Sequence, residues 1–461
     1  MQSMTQAPRV PQDSSVSKTE RAAPQGVFQT LDEPLRRAIA ASGYVTPTPI
    51  QEQSIPHLLA GRDLLGTAQT GTGKTAAFAL PLLQRLAKHK QAPGRGTPRA
   101  LILAPTRELA AQIGQSIETY GRYLRLHHTT IFGGVNQFHQ VKALDRGVDI
   151  LVATPGRLLD LVQLGHIRLN QVEVFILDEV DRMLDMGFLP DMKRVLARIP
   201  EKRQTLFFSA TMAPKIAALA RTMVTDPVRV AITPEQPAVE RISQKVLFVG
   251  KNNKSALLAT VLKEPGVGKA IVFTQRKHEA NRVVTKLQAL GIEGAAIHGN
   301  KSQAARTRAL DGFKKGRFQV LVATDVAARG IDVDDVTHVI NYDLPVEAET
   351  YVHRIGRTAR AGAGGDAISF CSVEDRSYLH DIERLLGEQV DYDKEHAYHS
   401  EEARLSTAPP PKRGGGGNRN GGNRNGGGRA RASASGGVAR AGARGRSSSR
   451  PAAGQARRRR G

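Results

Sequence analysis

Eight consecutive residues, Ala68, Gln69, Thr70, Gly71, Thr72, Gly73, Lys74 and Thr75, have the spacing of a phosphate-binding loop, with Ala68 where the strict pattern has Gly. Backbone N–H groups of such a turn can ring a phosphate, and a helix starting near Gly73 would aim its positive end at it. Lys74 would reach the outer phosphates and the Thr75 hydroxyl would ligate Mg²⁺. Phosphoryl transfer also needs a carboxylate to hold the metal and a group to orient water. Both are offered by Val174–Asp181, an apolar run ending in adjacent acids. Asp178 would hold Mg²⁺, partly through water, and Glu179 would position and deprotonate the attacking water. The competing readings are a Gly/Thr-rich surface turn and a solvated acidic loop.

Residues of these types need strand ends to carry them. From Val27 to Ile232, short apolar runs alternate with amphipathic stretches. The strand-like runs are Ala100–Ala104, Ile150–Ala153, Val174–Leu177 and Thr205–Phe208, and Asp63–Leu65 precedes the glycine-rich turn. Leu109–Tyr120 and Gln137–Leu144 read as helices. Alternation of this kind predicts βαβ units and a parallel sheet, with ligands at the carboxyl ends of the strands. Residues 233–241 hold two prolines and two glutamates and read as a linker. The pattern then restarts, with strand-like Ala270–Phe273, Ala295–Ile297, Val320–Ala323, His338–Asn341 and Ala367–Cys371. The expected fold class is therefore α/β, with two tandem domains at residues 27–232 and 242–390. Residues 1–26 read as a disordered N-terminal segment. Residues 391–461 read as an extension running into a disordered basic tail.

Charge points to the partner. The chain has 66 Lys+Arg against 43 Asp+Glu, a net of +23. From Leu405 to Gly461 there are 14 Lys/Arg and no acid, so most of the imbalance sits at that end. Asn-Arg-Asn-Gly-Gly occurs there twice in tandem, at residues 418–422 and 423–427. A segment of this composition cannot bury enough apolar surface to repay its ordering entropy. A polyanion is the implied partner, nucleic acid first and an anionic membrane second. Cys371 is the single cysteine, which excludes an intrachain disulfide and a Cys-based zinc site. Residues 1–18 have no apolar core of a secretory signal, and no apolar run is long enough to span a bilayer. The expected location is the cytoplasm.

Motif order carries a resemblance. Ala68–Thr75 is followed by Pro105–Ala110, Gly133-Gly134, Thr154–Arg157, the Asp-Glu-Val-Asp tetrad at 178–181, Ser209–Thr211, Thr324–Asp332 and His353–Arg360. From about Phe28 to about Leu386 the chain resembles the DEAD-box RNA helicases. Asp178–Phe188 looks most like the bacterial RhlE-type subgroup. The resemblance implies two RecA-like domains that close on RNA and ATP. Gly43–Gln51 resembles the family's adenine-reading motif, with Gln51 offering a donor and an acceptor and Phe28 a stacking ring. Arg357 and Arg360 are implied to act as arginine fingers, Asp332 to contact the ribose, and Ser209, Thr211 and His353 to couple nucleotide state to RNA. Two positions depart from the family's pattern. Val180 stands for the usual Ala, where a packing adjustment is expected. Ala359 stands for the usual Gly, where positive φ would add strain of about 1 kcal/mol.

The same resemblance implies RNA contacts at Arg107, Gly134, Thr154 and Arg157 in the first domain. In the second it implies Thr274, Gly299, Gln303, Arg306, Thr324 and Arg329. Arginines, hydroxyls and exposed glycine backbone suit phosphate and sugar rather than base edges, so sequence-indifferent binding of single strands and short duplexes follows. For Arg157 and Arg306 a structural ion pair is the competing reading. Ribosome-assembly or RNA-decay complexes are implied only at family level, and oligomeric state is silent. Two other functions stay open: an ATP-gated RNA clamp or annealer, and a superfamily-2 DNA helicase.

Overall fold

The computed structural model describes residues 23–69, 71–88, 92, 94–232, 242–328, 333, 335–359 and 364–407. The expected disorder of residues 1–22, the linker 233–241 and the basic tail from 408 onward lie outside the described residues.

Two seven-stranded sheets organise the chain. The first contains β1 (Leu64–Thr67), β2 (Ala100–Leu103), β3 (His128–Ile131), β4 (Ile150–Ala153), β5 (Val174–Leu177), β6 (Gln204–Ser209) and β7 (Val228–Ala231), in the order β3-β4-β2-β5-β6-β1-β7. The second contains β8 (Ile242–Phe248), β9 (Lys269–Phe273), β10 (Gly294–Ile297), β11 (Val320–Ala323), β12 (Val336–Asn341), β13 (Gly365–Cys371) and β14 (Tyr392–Asp393), in the order β10-β11-β9-β12-β13-β8-β14. Adding seven to each index of the first order yields the second. The lobes are therefore the same doubly wound topology used twice. Every named strand pairing in both is parallel.

Side-chain alternation explains why the strands read as unbroken apolar runs. In β2, Ala100 and Ile102 enter one core while Leu101 and Leu103 enter the core on the opposite face. β4 and β5 divide the same way. A central strand covered by helices on both faces needs apolar residues at every position. Val180, the first departure, is fully buried in the second of these cores, so its extra methyls are accommodated by packing.

The second lobe runs past the expected boundary at residue 390. β14 pairs with β8, His399 bridges Val249, and the short helix Glu401–Leu405 buries Ala403 against the lobe. A two-residue strand and a one-turn helix carry too little periodicity to read from composition.

Candidate functional site

The glycine-rich turn follows β1 and opens the helix Lys74–Lys88, so its N–H groups lie at the positive end of that helix. Gly71 and Gly73 both have positive φ, +88° and +93°. Lys74 is buried, and its Nζ donates to the Ala68 carbonyl at 2.7 Å, inside the turn it would leave to meet a phosphate. Thr72 donates to the Gln69 carbonyl. Thr75 lies half-buried in the first helical turn. Thr70 lies outside the described residues.

Gln51 sits at the third position of the helix Pro49–Leu59 and divides its amide between two partners. Its oxygen accepts from the Thr48 N–H at 2.9 Å, and its nitrogen donates to the Gly73 carbonyl at 3.1 Å. A Cβ on residue 73 would lie 2.5 Å from that nitrogen, so the contact requires glycine there. The structure thus ties Gln51 to the phosphate loop. Phe28 is placed otherwise than expected. It is 1% exposed and packs in the lobe-1 core under the 3₁₀ turn Gly26–Thr30, which leaves no open ring face for a base.

The tetrad follows β5, on the same half of the sheet edge as the phosphate loop. Asp178 is buried, and its Oδ1 has no hydrogen-bond partner. Burial raises its pKa to about 6, and the Lys74 charge opposes the rise. A buried carboxylate oxygen without a donor, a nearby ammonium and the Thr75 hydroxyl suit Mg²⁺, which takes few protein ligands and completes its shell with phosphate and water. Among the described residues no group of three or more His, Cys, Asp or Glu is placed to hold a metal ion. Glu179 has left-handed backbone, φ +54°, and its carboxylate accepts from Arg182 at 2.5 Å. Strain of this kind persists where the surroundings hold it, as at functional sites. Asp181 accepts from the Ala210 N–H at 3.1 Å, joining the tetrad to the loop after β6. Ser209, the last residue of β6, is buried with an unpartnered hydroxyl, while Thr211 in the loop is exposed.

The lobe-2 motif His353–Ala359 begins in the last turn of the helix Ala348–Ile355. Loss of surrounding water, then the charge of Arg182 across the interface, holds the His353 imidazole below its ordinary pKa. The charges of Asp181, Arg357 and Asp185 also act on it, and His353 is exposed to solvent. Arg357 is buried beside it. Arg360 and Asp332 lie outside the described residues.

Sequence reasoning missed Arg354. It is 1% exposed, bonds both Asp325 oxygens, and donates to Asn341 Oδ1 and the Asp343 carbonyl. Its guanidinium also lies 5.0 Å from the Phe273 ring centre. It therefore joins Thr324–Ala328 to His353–Ala359. An Arg beside two others in one motif gives no sign of which is structural. Ala359 has φ +54°, the left-handed region expected for it. Ala359→Gly should raise lobe-2 stability by about 1 kcal/mol at most, because Gly relieves the steric cost but is freer when unfolded. A higher urea midpoint would show it; a lower one would show that the strain is absent.

The other half of each sheet edge carries the expected RNA residues. Arg107 follows β2, Gly134 follows β3, and Thr154 and Arg157 follow β4. Thr274, Gly299 and Thr324 follow β9, β10 and β11, the equivalent strands. Gly134 has φ +75°, and a Cβ there would lie 2.1 Å from Arg107 Nη1. Arg157 donates to the Val135 carbonyl and to Gln140 Oε1, so it fastens the Gly134 loop. Across the lobes, Glu108 Oε1 accepts from Arg306 at 2.8 Å and from Gln303 at 3.2 Å, and Arg107 Nη1 reaches Gln303 Oε1 at 3.5 Å. Arg157 and Arg306 thus both make structural contacts. Thr274 is a correction. Its side chain is 0% exposed and its hydroxyl turns back to the Arg276 carbonyl, so it presents no group to a strand. Gly299 is exposed, Thr154 is nearly buried at a helix start, and Thr324 is half-buried. Arg329 lies outside the described residues.

Nucleotide chemistry on one half of an edge shared by two like-folded lobes, with cations on the other half, defines a two-lobed helicase-type ATPase. The DEAD/DEAH box helicase profile matches residues 48–219, and the helicase conserved C-terminal domain profile matches residues 253–362. Pseudomonas putida "ATP-dependent RNA helicase RhlB" is 45% identical over 365 residues, 78% of this chain and 92% of that protein. Bacillus cereus "DEAD-box ATP-dependent RNA helicase CshA" is 41% identical over 361 residues, 78% of this chain and 68% of that protein. Saccharomyces cerevisiae Dbp5 "bound to RNA and ADP BeF3" is similar in structure, with TM-score 0.68 and 32% identity, covering 79% of this chain and 94% of that one. The chain belongs to the DEAD-box helicase family. The relatives carry the names RhlB and CshA, so the RhlE-type subgroup rests on Asp178–Phe188 alone.

Proposed function

We infer that this chain is an ATP-dependent RNA helicase, in which RNA and ATP hold the two lobes closed and hydrolysis releases them. The observation that carries this reading is the contact between the lobes beside the two sheet edges, where Glu108 Oε1 of lobe 1 accepts from Arg306 at 2.8 Å and from Gln303 at 3.2 Å, both of lobe 2. A site completed only when the lobes meet makes ATP state and lobe closure one equilibrium.

In this mechanism Gln51 and the glycine-rich turn seat the nucleotide, with Ala68, Gln69, Thr70, Gly71, Thr72 and Gly73 forming the cradle. Lys74 leaves the Ala68 carbonyl for the phosphates. Thr75 and Asp178 would hold Mg²⁺, which when bound neutralises developing phosphate charge. Glu179 takes the proton of the attacking water, its carboxylate oriented by Arg182. Arg357 and Arg360 meet the γ-phosphate from lobe 2, and Asp332 meets the ribose. Ser209, Thr211 and His353 pass the state of the phosphate site to the RNA half of the edge. There Arg107, Gly134, Thr154, Arg157, Gly299, Gln303, Arg306, Thr324 and Arg329 hold backbone. The Glu108 contacts to Gln303 and Arg306 fasten the lobes beside the strand. A strand bent between them cannot stay paired, so a short duplex comes apart locally.

Displacement of a short RNA duplex tests this directly. Strand separation should require ATP and fail with ADP. Tight ATP-dependent retention of RNA without separation would favour the clamp, and equal action on DNA the general helicase. Ribosome-assembly and RNA-decay complexes are the settings proposed, in the cytoplasm; no helix among the described residues is long and apolar enough to cross a membrane.

The basic segment from residue 412 onward, rich in Arg and Gly, is proposed as a tether that raises local RNA concentration. Ending the chain after Thr407 should weaken RNA binding and flatten its dependence on log salt, because fewer counterions are released. The turnover rate at saturating RNA should hold. An unchanged salt slope would remove the tether from the account.

A further inference from the structure

Phe138 is 61% exposed, in a lobe whose other described phenylalanines are buried or half-buried. An isolated exposed apolar side chain is ordinary. Its placement is not. Phe138 opens the helix that follows β3, the edge strand of the lobe-1 sheet, immediately after the Gly134 loop. Its backbone is held from several directions. Phe138 N–H donates to Asn136 Oδ1 at 2.9 Å, and the next turn is pinned by Gln140, whose amide donates to the Phe132 carbonyl at 3.1 Å. Arg157 then donates to Gln140 and to Val135, locking the same loop. His139 meets the Phe138 ring edge-on, with centroids 5.5 Å apart and planes at 78°. The result is an exposed ring on a held backbone, in the same loop that Arg157 fastens.

We propose that Phe138 stacks on a nucleobase of the bound strand at the outer end of the lobe-1 RNA path. A proposal of backbone binding accounts for the arginines and glycines but leaves the ring without a task. Every base has a π face, so stacking adds affinity while keeping binding indifferent to sequence. The ligand class is a single-stranded nucleobase, and His139 limits how far the ring can turn away from it. This inference rests on the RNA-path reading above.

The test uses the full chain and two single-stranded RNAs of equal length, one normal and one with abasic sites. Phe138→Ala should weaken binding of the normal RNA roughly tenfold and leave binding of the abasic RNA unchanged. The RNA concentration for half-maximal ATPase should rise in step, with turnover at saturation retained. The chain contains no tryptophan, so Phe138→Trp supplies a lone indole, whose emission should be quenched by normal RNA and not by the abasic strand. Equal losses on both RNAs, or an indole blind to RNA, would overturn the proposal. Arg157→Ala separates the two readings. If it weakens binding while Phe138→Ala does not, stacking alone falls and the ring is left to a protein partner. If Arg157→Ala binds RNA normally on both strands, the path itself is misplaced.

Discussion

Glu179→Gln should bind ATP and RNA as the parent does and hydrolyse ATP at least 100-fold more slowly. The carboxylate is buried and follows Asp178, the proposed metal ligand, on a strained left-handed residue. Glutamine keeps its size and can still meet Arg182, so the phosphate loop and both cores stay as they are. What it removes is a group able to take a proton from water, a step worth roughly 10²–10⁴ in rate. Retained binding with lost turnover is the signature of an interaction made in the transition state. The variant should also stay on RNA longer in ATP, because opening follows hydrolysis. Single-turnover hydrolysis together with RNA dissociation kinetics reads both. Near-normal turnover would refute the role given to Glu179.

Arg357→Ala should lower RNA-stimulated turnover by roughly 10³-fold or more, the range of an arginine finger removed from phosphoryl transfer. RNA and ATP affinities should change far less. Arg354→Ala is the contrast, because the two arginines belong to one motif but have different surroundings. Arg354 is spent on half-buried Asp325, buried Asn341 and the Asp343 carbonyl, so its loss leaves the Asn341 oxygen unpaired and should destabilise lobe 2 by roughly 1–3 kcal/mol. Urea unfolding separates them: the midpoint should fall further for Arg354→Ala than for Arg357→Ala. A folded Arg357→Ala enzyme with unaltered turnover would take the finger role from Arg357.

The legible part of the fold was the part that repeats. Apolar four-residue runs such as Ile150–Ala153 and Val320–Ala323 are buried on both faces, so composition alone marks them. His128–Ile131 and Val228–Ala231 were missed because edge strands have a partner on only one side and tolerate polar residues. The phosphate loop and the tetrad were legible because their chemistry demands fixed residue types at fixed spacing. Contacts between lobes were not, since Glu108 and Arg306 lie 198 residues apart and nothing local links them. The same reasoning misplaced two side chains. Phe28 and Thr274 were assigned to ligands from the family resemblance, whereas both are closed off by packing that motif matching does not report. Ala359 went the other way: a single departure from glycine correctly signalled a left-handed backbone position.

Separation of the two halves of the sheet edge is the central claim, with ATP chemistry on β1, β5 and β6 and the strand on β2, β3 and β4. The most direct measurement is the steady-state ATPase rate without nucleic acid, with single-stranded RNA, and with single-stranded DNA of the same sequence, at one stated salt concentration. The account predicts a low rate alone, strong stimulation by RNA and little by DNA. Equal rates in all three conditions would contradict it, because closure of the lobes on ATP would then owe nothing to the strand.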